Sequence, residues 1–137
     1  MSTQKRLQQK TNSCNIQALT KTQVSAKTKK LIEDINSALS VENYPLADLY
    51  IKALISLNPD PNFTIKRAHL MFIRKEYQKA EKLYKKVLKS SEEVHYSEIY
   101  FGLGQVYYES KMYYDAYQAY AILTSKYPNF SIQILCT

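Results

Sequence analysis

Apolar residues recur along this chain at spacings of three, four and seven, the period of a helix with one buried face. Leu31, Ile35, Ala38 and Leu39 form the first stripe, with Glu33, Asp34 and Asn36 off it, and predict an amphipathic helix beginning near Lys27. Ser40 to Tyr44 interrupts the pattern. Pro45 suits the first turn of a second helix, where its missing N–H leaves nothing unsatisfied. Ala47, Tyr50, Ile51, Leu54 and Leu57 supply that helix's stripe, and Asn58-Pro59-Asp60-Pro61 stops it. Ile65, Ala68, Met71 and Phe72 mark a third helix. A short turn at Glu76-Tyr77 leads to a fourth with Ala80, Leu83, Tyr84, Val87 and Leu88 inward. Beyond Ser90-Ser91-Glu92-Glu93, Tyr100, Leu103, Gly104 and Tyr107 mark a fifth helix, and Ala116 and Tyr120 a sixth.

The six stripes repeat in pairs. Tyr44-x-x-Ala47, Tyr77-x-x-Ala80 and Tyr113-x-x-Ala116 align, with the alanines 33 and 36 residues apart. The third unit also matches W-x2-L-G-x2-Y, A-x3-F and P through Tyr100, Leu103, Gly104, Tyr107, Ala116, Tyr120 and Pro128, with Tyr replacing Trp and Phe. Over about residues 28 to 130 the chain resembles the tetratricopeptide-repeat (TPR) family, and the first unit is the most degenerate. The resemblance implies an all-α fold: a right-handed superhelical solenoid of about three helix-turn-helix pairs, with the repeat domain over 27–130. Glu76-Tyr77-Gln78-Lys79-Ala80, an enlarged link before the third unit, Tyr100 to Tyr108, and Pro128-Asn129-Phe130 further resemble the TPR segment of UTX-type histone lysine demethylases. The iron-binding catalytic domain of such enzymes has no candidate here.

Charge changes the picture at the N-terminus. Residues 1 to 30 hold seven basic side chains and no acid, which equals the net charge of +7, and the rest is neutral. Residues 1–26 are rich in Gln, Lys, Thr, Ser and Asn with few apolar positions, so a disordered basic tail is expected. A second concentration runs from Lys66 to Lys89, nine basic residues against Glu76 and Glu81. It suits either a solvated helix face or docking to an acidic partner. Cys14 and Cys136 lie at opposite ends with no metal-ligand or disulfide spacing, which fits free thiols in a reducing compartment. No apolar run is long enough for a signal sequence or membrane span. The expectation is a soluble intracellular protein, cytoplasmic or nuclear.

Enzyme chemistry finds little support. His69 and His95 are 26 residues apart without a Cys or carboxylate cluster, so no metal and no cofactor is expected. Gly102-x-Gly104 lacks the third glycine and preceding strand of a dinucleotide loop. Thirteen tyrosines raise the question of base stacking, but most fall at inter-helix positions, so nucleic acid is expected only through the basic tail. The TPR resemblance implies instead a concave groove lined by the first helix of each pair, able to take a peptide or partner helix. Its candidate residues are Ile32, Asn36 and Leu39 in the first unit, Ile65, His69 and Phe72 in the second, and Phe101, Gln105 and Tyr108 in the third. For Phe72, Phe101 and Tyr108, packing on neighbouring helices is the competing role. A carboxylate clamp of the chaperone-binding kind is incomplete: Asn36 stands at one clamp position, but Ile32 replaces the lysine. The function expected is a non-enzymatic adaptor, the alternative being a TPR fragment of a chromatin-associated assembly. Residues 131–137 are expected to be the truncated start of a further or capping helix.

Overall fold

The computed structural model describes residues 20 to 129. Among them are six α-helices: α1 (Lys21–Ser40), α2 (Tyr44–Leu57), α3 (Pro61–Ile73), α4 (Tyr77–Ser90), α5 (Tyr96–Glu109) and α6 (Tyr113–Lys126), with a 3₁₀ turn at Glu93–His95. The described residues are all-α. α1 with α2, α3 with α4 and α5 with α6 form helical hairpins, each closed by a three-residue turn. Successive hairpins stack, α2 on α3 and α4 on α5, and the first helices α3 and α5 also touch.

Local chemistry sets the boundaries. Thr20 caps α1 by accepting from the Gln23 amide at 3.2 Å, while the Gln23 side chain accepts from the Thr20 amide at 3.0 Å. This reciprocal cap satisfies two helix-end donors. It starts α1 at Lys21, six residues before the expected start near Lys27, so residues 21 to 26 belong to a helix and not to a disordered tail. The remainder of that expected tail, residues 1 to 19, lies outside the described residues, as do Cys14, Cys136 and the expected helix start at 131–137. Asn43 caps α2, with Pro45 in the first turn, and Asp60 caps α3 directly before Pro61.

The three hairpin turns share one backbone device. Glu42, Lys75 and Lys111 each take a positive φ, at 57°, 63° and 64°. At each, the left-handed residue donates its amide to a carbonyl three back and the next residue donates five back: Glu42 to Leu39 and Asn43 to Ala38, Lys75 to Phe72 and Glu76 to Met71, Lys111 to Tyr108 and Met112 to Tyr107. These are Schellman closures, and they satisfy carbonyls at each helix end. Their positions, 33 and 36 residues apart, repeat the alanine spacing. The three additional residues of the second interval match in number the 3₁₀ turn Glu93–His95, which lies in the link between α4 and α5.

One continuous core runs from Ile35 to Ala119, with Ile35, Ala47, Leu54, Ala68, Ala80 and Ile99 fully enclosed. Each large aliphatic side chain removed from water contributes about 1.5–3 kcal/mol. In α5 the buried face is Ile99, Gly102, Leu103, Gly104, Val106 and Tyr107. Tyr100, expected at its centre, is half-buried and meets Tyr96 edge-on at 6.4 Å. The two glycines bring the helices close. A Cβ on Gly104 would overlap the Tyr120 ring within its own hairpin, and one on Gly102 would overlap the Tyr84 ring of the preceding hairpin. A charged contact spans the first two hairpins: Arg67 Nε donates to the buried Asp48 carboxylate at 2.8 Å.

Candidate partner-binding surface

The nine expected groove residues fall at three matched positions on α1, α3 and α5. Asn36, His69 and Gln105 form the middle set; Asn36 and His69 are exposed and Gln105 is half-buried. This set offers side-chain hydrogen-bonding groups on successive first helices, the kind of group that holds an extended backbone. Desolvation holds the His69 pKa below its ordinary value, and its ring stacks on Phe72 with centroids 6.1 Å apart and planes at 24°. It is therefore neutral near pH 7 and able both to donate and to accept.

The set toward the hairpin turns is Leu39, Phe72 and Tyr108. Leu39 and Phe72 are half-buried against the core, whereas Tyr108 is 56% exposed. Phe72 and Tyr108 each meet the tyrosine that opens the second helix of the same hairpin. Phe72 lies 5.9 Å from Tyr77 and Tyr108 lies 5.6 Å from Tyr113, both inclined. Such pairs contribute about 0.5–1.5 kcal/mol beyond the area they bury. These residues thus pack and line a surface together.

The remaining set is Ile32, Ile65 and Phe101. Ile32 and Phe101 are half-buried. Ile65 is buried in the core and is removed from the candidate surface. The cause is its place in the stack: α3 has helices packed on both sides, from α2 and α5 as well as its own partner α4, so a side chain that an outer helix leaves half open is covered there. Sequence reasoning also missed an aromatic surface on α6. Tyr113, Tyr114 and Tyr117 are 58%, 72% and 70% exposed, and only Tyr84 and Tyr107 of the thirteen tyrosines are buried among the described residues. The signal was available in the stripe: Ala116, Ala119 and Leu123 face inward, which turns Tyr114 and Tyr117 away.

Two shallow hollows lie elsewhere. One, about 570 Å³, is lined by residues including Lys75, Glu76, Lys79, Ser110 and Met112; the other, about 440 Å³, lies between Asn58–Pro61 and Ser90–His95. Neither includes a groove candidate. Among the described residues no group of three His, Cys, Asp or Glu is placed to hold a metal ion, and no helix is long and apolar enough to cross a membrane.

These features define a class, an all-α solenoid of stacked helical hairpins. No family model matches the chain, and no curated protein matches it.

Proposed function

We propose that the chain is a tetratricopeptide-type interaction module, an adaptor without catalysis of its own, whose first helices bind a peptide or partner helix. The observation that carries this reading is the matched set Asn36, His69 and Gln105, polar and accessible on three successive first helices and flanked by Leu39, Phe72 and Tyr108. Polar groups at a regular interval fix the backbone of an extended ligand, and the neighbouring apolar and aromatic side chains supply anchors. The reading is tested by selecting peptides from a displayed random library against the full chain. Selected peptides should lose affinity at least about tenfold on Asn36→Ala with Tyr108→Ala, the scale of one or two lost interface contacts, while helical circular dichroism is unchanged. Peptides whose affinity ignores both substitutions would refute the groove.

A further inference from the structure

Helix α4 carries a lysine row that the proposed groove does not use. Lys79, Lys82, Lys86 and Lys89 follow at steps of three, four and three residues, and all are exposed. They form one stripe about 15 Å long. Lys75, exposed in the preceding turn, borders the same hollow as Lys79. The acids of α4 and of the turn before it are already engaged: Glu76 with Lys79 at 3.0 Å and Arg74 at 3.3 Å, Glu81 with Lys85 at 2.9 Å; Glu92 and Glu93 lie beyond the end of the helix. Lys82, Lys86 and Lys89 have no ion pair among the described residues. Like charges three and four apart repel along a helix, so the row weakens α4. Only Lys89, in the last turn, is favoured by the helix dipole.

The chemistry of the face selects its partner. Protein partners bind through a desolvated apolar or aromatic centre, from which lysine is depleted. No such centre lies here: Leu83 and Leu88 are half-buried against the core, and Gln78, Lys85 and Ser90 are the exposed side chains beside the row. A polynucleotide needs none, because neutralising its phosphates releases condensed counterions and that release supplies affinity. The net charge of the chain, +7, has the same sign. We propose that the α4 lysine row binds the phosphodiester backbone of a nucleic acid without regard to base sequence.

The test titrates the full chain with labelled random-sequence duplex and single-stranded oligonucleotides over a salt series. Replacing Lys82, Lys86 and Lys89 together by Gln should lower the slope of log affinity against log salt by about 2 to 3, from roughly 0.9 per contact on a duplex or 0.7 on a single strand. At ~0.1 M salt that is a loss of at least ~100-fold, with helix content unchanged. The comparison variant, Lys5, Arg6 and Lys10 to Gln, removes the same charge from the N-terminal segment. Binding of either nucleic-acid form with the larger loss from the α4 variant supports the row. Equal losses from the two triple variants, absence of nucleic-acid binding by the unaltered chain, or binding only to polyglutamate or to phosphatidylserine vesicles would each overturn it.

Discussion

Gly102→Ala should destabilise this protein, although the same change in an ordinary helix stabilises. Alanine in a helix interior is favoured over glycine by about 1 kcal/mol. At Gly102 the added Cβ would overlap Tyr84 Cζ and fall within 2.7 Å of its Cε1. Tyr84 is 2% exposed, so its ring has nowhere to swing without parting α4 from α5. Forcing a methyl into such a site costs about 1–3 kcal/mol, and more where the neighbour is pinned. The net expectation is a loss of about 1–2 kcal/mol, or roughly 4 °C per kcal/mol in Tm. Repeating the substitution in a Tyr84→Leu background removes the overlapping atoms, so the effect should change sign toward a gain of up to about 1 kcal/mol. The resulting coupling of about 2 kcal/mol would be read from a double-mutant cycle by urea unfolding followed by helical circular dichroism. Because Gly102 joins two hairpins, its variant should also broaden the transition as the third hairpin uncouples. A Gly102→Ala protein more stable than the parent, or an equal change in both backgrounds, would refute the close-approach argument.

Two further outcomes follow from the backbone and the buried ring. Lys111→Gly relieves a left-handed residue whose side chain is exposed, and should raise stability by about 0.5–1 kcal/mol in thermal unfolding; an unchanged or lower Tm would contradict the turn geometry. Burial, with a smaller contribution from Glu98, pushes the Tyr84 hydroxyl up to about 12. Its raised pKa means the folded state holds the proton more tightly, so this stability is complete below about pH 10 and is lost as pH rises toward 12. Up to about 2–3 kcal/mol is at stake, and Tyr84→Phe should flatten the alkaline limb of a stability-against-pH curve. Tyr107 and Tyr120, also raised by burial, will leave a residual slope.

The helices, their pairing and the places where the chain turns between them were legible because each rests on residues near in sequence. A stripe at three and four, a proline in a first turn and an alanine every 33 or 36 residues all act locally. The early start of α1 was equally local, written in Thr20 and Gln23 as a capping box. The left-handed turns were not visible, since Glu42, Lys75 and Lys111 are residue types that rarely announce a positive φ. Of the candidate surface, the polar set Asn36, His69 and Gln105 was placed by the repeat register alone.

What the sequence determined by itself is the all-α repeat, because helix period and caps are properties of short segments. Only the tertiary structure decided which equivalent positions stay open. Ile65 is buried and Phe101 half-buried at the same register, and Ile65 sits on α3, which packs against α2 and α5 as well as its own partner α4. Tyr84 is enclosed beside Gly102 of the next hairpin, while Tyr120, its counterpart, is half-buried beside Gly104 of its own. Burial in a stacked array is set by the neighbours on either side, and no single repeat carries that information.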